Sequence, residues 1–195
     1  MLSSPLLEQT GGYIHGRWSG AVAGGTLDVV DPATGDCLAE VPNMGAGETR
    51  EAVASAAAAM QTVSSLAQRR GWLKSIAGLL MAEQEELARL ITLENGKTLT
   101  DSLAEISYAA AFFTACSENL QFLEPEVLGE RIRGCRWHIH HCPAGVAGLI
   151  TPWNFPVAMM AKKLSSALGA GCATVCKPDE KTPLSVIAWW GLMEK

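Results

Sequence analysis

Pro152 and Pro156 bracket three residues, Trp153-Asn154-Phe155, and neither a strand nor a helix runs comfortably through both prolines. On one side, residues 146–150 form a short apolar run bounded by turn formers, which predicts a buried strand of a parallel sheet. On the other side, residues 157–168 predict a helix that ends at Gly169-Ala170-Gly171, and residues 173–176 predict the next buried strand. The pattern is a βαβ unit. Its stiff loop lies at the C-terminal end of the first strand, where open α/β sheets bind ligands. Asn154 in that loop offers an amide N–H to a developing oxyanion, a donor worth about 2.7–4 kcal/mol when preorganised and shielded from water. The alternative is that its side chain merely closes the loop by bonding to backbone.

Lys177 and Glu180 leave the C-terminal end of the second strand and so face the same crevice as the loop. Lys177 can donate and Glu180 can accept, which suits the hydroxyls of a ribose, while a solvated surface ion pair is the competing reading. No Gly-x-Gly-x-x-Gly run follows either strand, because Gly145 and Gly148 precede and interrupt the first strand instead of opening the helix. Thr182-Pro183 then opens a further helix over residues 184–193, with Pro in its first turn.

Upstream, residues 13–18 and 26–30 read as two strands joined by the Gly-rich residues 19–25 as a hairpin. Asp31-Pro32-Ala33-Thr34-Gly35 is a turn, and residues 38–41 return as a third strand. Apolar spacing predicts helices over residues 48–66, 70–93 and 98–123, the second ending at the C-cap pair Asn95-Gly96. Residues 127–141 change to an alternating period, as a hairpin or ribbon does, and such exposed ribbons invite pairing with another chain.

A net charge of −5 with scattered Lys and Arg excludes a phosphate-backbone binder. Residues 1–12 match neither a secretory signal nor an Arg-rich transit peptide, so a cytoplasmic location is expected. The uncharged residues 142–161 are long enough to cross a bilayer but hold three prolines and Asn154, so no membrane span is expected. The six cysteines form no Cys-x-x-Cys pair and read as reduced thiols, Cys172 and Cys176 packing as small hydrophobes. His138 and His140 share a strand face but have no third ligand beside them, so no metal is expected.

Pro152-Trp153-Asn154-Phe155-Pro156, Lys163, Ala170-Gly171 and Lys177-Pro178-Asp179-Glu180-Lys181-Thr182-Pro183 resemble, in order and spacing, the NAD(P)-dependent aldehyde dehydrogenase family. Gly16-Arg17-Trp18, Asp31-Pro32-Ala33-Thr34-Gly35 and Leu93-Glu94-Asn95-Gly96-Lys97 carry the resemblance upstream, with Ser166 and Asp31 standing where the family usually has Pro and Asn. The resemblance implies an α/β fold: the N-terminal portion of an aldehyde dehydrogenase, with an incomplete Rossmann-like parallel sheet, helices and a β-ribbon oligomerisation arm. The implied parts are residues 1–126, strands and helices of the cofactor domain; 127–142, the arm; and 143–195, the first βαβ unit.

By the same resemblance Asn154 stabilises the oxyanion and Lys163 has a catalytic role, while Ile150, Thr151, Pro152, Trp153, Lys177, Pro178, Asp179 and Glu180 hold NAD, with NADP accepted as well and no metal. The reaction implied is oxidation of a small aldehyde to a carboxylate by a homo-oligomer, with succinate semialdehyde as the best single substrate. The family's phosphate-loop glycines, general-base Glu and nucleophilic Cys lie downstream of the segment matched, so the chain as given is expected to be catalytically incomplete. Two competing readings are a non-catalytic chain that pairs with intact relatives through the arm, and a truncated product without a settled role.

Overall fold

The computed structural model describes residues 4–194. The central feature is the expected parallel pair, β7 (Val146–Ile150) beside β8 (Ala173–Lys177), in register from Val146 opposite Ala173 to Ile150 opposite Lys177. Between them runs α5 (Pro156–Ala170), with Pro156 in its first turn and Gly171 as a left-handed C-cap at φ 81°. A Cβ at Gly171 would come within 2.5 Å of the Arg69 guanidinium, whose Nη1 donates to the Gly169 carbonyl at 3.4 Å. Glycine at that position therefore serves both the turn and the close approach of Arg69.

Four other helices surround this unit: α1 (Ala46–Ala59), α2 (Leu66–Ala82), α3 (Gln84–Asn95) and α4 (Leu99–Asn119), with α6 (Leu184–Glu194) following β8. The α2–α4 and α4–α5 packings build the main core, in which Leu73, Leu80, Leu87, Ile91, Ile106, Phe113, Met160 and Trp189 are fully buried. Phe113 and Trp189 meet edge to face with ring centroids 5.7 Å apart. A second cluster seats Val29, Leu38 and Val41 against Leu184, which fixes the β3–β4 hairpin (Thr26–Val30, Cys37–Pro42) to the start of α6.

Three expectations are corrected. Residues 13–18 are not one strand: β1 (Gly12–Ile14) folds back on β2 (Arg17–Ser19) through His15 and Gly16, both at positive φ (54° and 71°). Two successive positive-φ residues close a hairpin in the hand that matches strand twist, so β3 is left to pair with β4 across the Asp31–Gly35 turn. The helix expected over residues 48–66 stops at Ala59, because Ser65 caps α2 instead: its hydroxyl accepts from the Gln68 amide at 3.2 Å while the Gln68 side chain accepts from the Ser65 amide at 2.9 Å. The helix expected over residues 70–93 is two helices, broken at Glu83 (φ −106°, ψ 21°). Glutamate is a good helix former, so local propensity carried no sign of that break.

The alternating segment is the two-stranded ribbon β5 (Glu126–Ile132) and β6 (Cys135–Ile139), with Val127, Ile132, Trp137 and Ile139 exposed. Among the described residues no helix is long and apolar enough to cross a membrane.

Candidate active site

The loop from β7 to α5 leaves the strand at Thr151, whose amide donates to the Lys177 carbonyl at 3.3 Å. Thr151 is buried, and its hydroxyl has no hydrogen-bond partner among the described residues. Pro152, Trp153, Asn154 and Phe155 then stand exposed at the C-terminal end of the parallel pair. Their conformation is set from outside the loop. The Trp153 carbonyl accepts from Asn95 Nδ2 at 2.8 Å and from Thr182 Oγ1 at 3.3 Å, and the Asn154 carbonyl accepts from Lys97 Nζ at 2.8 Å. The Asn154 side-chain amide makes no hydrogen bond among the described residues, so it does not act as the loop's own closing bond.

Below the loop, Lys97 Nζ donates to Glu105 Oε2 at 2.6 Å and lies 4.3 Å from the centroid of the Phe155 ring. Glu105 is fully buried, and its other oxygen accepts from the amides of Val157 and Ala158 at 3.0 and 3.1 Å. A carboxylate there satisfies N–H groups that α5 leaves unpaired and complements the positive end of the helix. Glu94 plays the same part for α6, accepting from the amides of Leu184 at 2.6 Å and Ser185 at 3.0 Å and from the Ser185 hydroxyl. Burial pushes the Glu94 carboxyl up from 4.5 to about 7, against the opposing pull of the Ser185 and Leu184 bonds.

The sign of that shift makes a prediction. Folded Glu94 holds its proton more tightly than unfolded Glu94, so its contribution is fully present below pH 4.5 and is lost as pH rises through 7. Over that window the protein loses up to about 3 kcal/mol from this group. Urea unfolding at pH 5 and pH 8 is expected to show this loss in the unaltered chain and a much flatter profile in Glu94→Gln.

Lys97, Asp101, Ala104, Glu105, Tyr108, Asn154 and Phe155 line a cleft of about 440 Å³. Asn154 is the neutral amide among them, and it is free to donate. The expected cofactor residues lie at and just beyond the C-terminal ends of β7 and β8, where Ile150 stands opposite Lys177. Lys177 is exposed, with Nζ 3.2 Å from the Pro178 carbonyl, and Glu180 is exposed. Asp179 is committed to the turn itself, its carboxylate accepting from the Lys181 amide at 3.0 Å and its carbonyl from the Thr182 amide at 3.3 Å. Ile150 ends β7 with its side chain exposed. Lys163 lies half-buried within α5 and is not among the residues lining the cleft.

Sequence reasoning missed Glu94, Asn95, Lys97, Glu105 and Thr182 as supports of the site. Glu105 carried a usable signal: it falls on the buried face of α4 with Ile106, Ala109 and Phe113, where a carboxylate needs partners. The six cysteines are all free, and burial pushes the Cys176 thiol up to about 11, which keeps it unreactive. His138 and His140 stack at 6.2 Å, but no group of three metal-ligating side chains occurs among the described residues.

The sequence profile of the aldehyde dehydrogenase family matches residues 18–195. The mitochondrial succinate-semialdehyde dehydrogenase of Oryza sativa subsp. japonica is 39% identical over 184 residues, covering 93% of this chain and 35% of the relative. The succinate-semialdehyde dehydrogenase (NADP⁺) of Escherichia coli is 41% identical over 177 residues, covering 90% of this chain and 37% of the relative. A solved oxidoreductase from Marinobacter aquaeolei superposes with a TM-score of 0.96 at 42% identity, covering 100% of this chain and 41% of that one. The chain thus spans about two fifths or less of the length of these relatives.

Proposed function

The chain belongs to the aldehyde dehydrogenase family, and from that premise we propose that it supplies the oxyanion donor and the adenine-ribose contacts of an enzyme that oxidises a semialdehyde to a carboxylate with NAD(P)⁺. Succinate semialdehyde is the proposed substrate, because the Oryza sativa and Escherichia coli relatives are succinate-semialdehyde dehydrogenases. The observation that carries the proposal is Asn154: exposed on a cleft, clamped through its backbone, its side-chain amide uncommitted. As the aldehyde carbonyl is attacked, its oxygen gains negative charge, and the Asn154 amide donates to that oxygen more strongly than to the neutral carbonyl. Only such a difference lowers the barrier.

When bound, NAD(P)⁺ supplies the hydride acceptor. The residues fit its adenosine end: the buried Thr151 hydroxyl, just past the end of β7, has no partner among the described residues, and Lys177 and Glu180 offer a donor and an acceptor at and just beyond the end of β8. Ile150, Pro152, Trp153, Pro178 and Asp179 are the remaining cofactor contacts of this reading, and Lys163 of α5 completes the proposed set. A cytoplasmic homo-oligomer that associates through the exposed apolar side chains of β5 and β6 completes the reading.

Turnover is tested in the assembled enzyme, expressed from its whole reading frame or made by joining residues 18–195 to the remainder of the Escherichia coli relative. Reduced cofactor is expected to form from succinate semialdehyde, and its absence with every aldehyde tried would refute the proposal. Glu180 makes a sharper case. Its carboxylate accepts from the 2′-hydroxyl of NAD, whereas NADP carries a phosphate there. Like charges about 4 Å apart repel by roughly 4 kcal/mol at an effective dielectric near 20, and even a third of that is a tenfold preference. Lys177 opposes it by offering a cation to the phosphate. Glu180→Ser is therefore expected to lower the NAD over NADP ratio of kcat/KM about tenfold or more, and an unchanged ratio would remove Glu180 from the ribose.

A further inference from the structure

Gly96 ends α3 in the left-handed conformation at φ 83°, and a Cβ there would come within 2.8 Å of Pro32 Cγ. The reversal at this glycine turns both of its flanking side chains onto the same loop. Asn95 takes the Trp153 carbonyl at 2.8 Å, and Lys97 takes the Asn154 carbonyl at 2.8 Å. These two carbonyls belong to the two peptide planes on either side of the Asn154 Cα. Holding both planes fixes φ and ψ of Asn154 and with them the direction of its Cβ. The Lys97 side chain is itself held in place: it is 14% exposed, and Nζ is also bound by Glu105 at 2.6 Å and lies 4.3 Å from the centroid of the Phe155 ring.

We propose that Asn95 and Lys97 are positioning residues that aim the Asn154 amide at the reacting oxygen. The proposal rests on the oxyanion reading of Asn154 and assigns a role to the Glu94-Asn95-Gly96-Lys97 run. Misplacing a catalytic group by about 1 Å costs up to 10²-fold in rate, so losing either clamp lowers kcat by about tenfold, the Asn95 clamp leaving only the longer 3.3 Å bond from Thr182 Oγ1 on the Trp153 carbonyl. Because the clamps act through Asn154, their loss has little further effect once the Asn154 amide is gone.

In the assembled enzyme, Asn95→Ala and Lys97→Met are each expected to lower kcat about tenfold with the KM for NAD⁺ within about twofold of its original value. In the Asn154→Ala background, each is expected to lower kcat by less than about twofold more. A full tenfold loss in that background, or a rise in aldehyde KM that persists there, would overturn the proposal, the latter by showing that Lys97 contacts substrate directly. Lys97→Met strands the buried Glu105, so if that variant does not fold, Asn95→Ala, which leaves no charge behind, decides the matter alone. If Asn154→Ala lowers kcat while both clamp variants keep it, positioning fails and the oxyanion reading stands. If Asn154→Ala leaves kcat unchanged, both fail.

Discussion

Replacing Glu105 with alanine is expected to destabilise the fold by about 3–5 kcal/mol, because this one buried carboxylate of α4 holds both Lys97 and the first turn of α5. Its removal leaves the Lys97 ammonium under the Phe155 ring without its countercharge and orphans the amides of Val157 and Ala158 at the start of α5. Each stranded buried donor costs about 1–3 kcal/mol. Lys97→Met combined with Glu105→Gln removes the unpaired charge and keeps one acceptor for the helix terminus, so it is expected to be less damaging than Glu105→Ala alone. Urea unfolding of the three proteins measures this. A loss below about 1 kcal/mol in Glu105→Ala would mean that water takes over the carboxylate's bonds and that the network does not hold the loop.

What the sequence made legible was local. The apolar run ending at Ile150, the prolines at 152 and 156 and the glycine at 171 predict strand, loop, helix and strand from near neighbours, and β7, α5 and β8 follow that order. The ribbon was equally plain from its alternation. The break at Glu83 escaped because glutamate is a good helix former, whereas the one between Ala59 and Ser65 had a signal that went unused, the weaker helix formers Thr62-Val63-Ser64 ahead of the capping pattern Ser65-Leu66-Ala67-Gln68. The supports of the site escaped for a different reason. Asn95 and Lys97 reach carbonyls 58 and 57 residues away, and Glu105 reaches amides 52 and 53 residues away. Periodicity describes one element at a time and is blind to such contacts. Their side chains also grasp backbone atoms, which have no residue type to pair by complementarity.

The other large effect is catalytic. Asn154→Ala in the assembled enzyme is expected to lower kcat by about 10²–10³-fold while leaving the KM for NAD⁺ within about threefold, because the lost interaction forms only as charge develops on the aldehyde oxygen. The clamps on the Trp153 and Asn154 carbonyls do not depend on that side chain, so the loop keeps its course and the loss is of the donor alone. The most direct measurement is kcat of Asn154→Asp beside Asn154→Ala. Aspartate matches asparagine in shape but turns a donor into a negative charge facing the oxyanion, so kcat of Asn154→Asp is predicted to lie at or below that of Asn154→Ala. An Asn154→Asp enzyme within about threefold of the original rate would contradict the account, since shape and not hydrogen-bond donation would then be what the residue at 154 supplies.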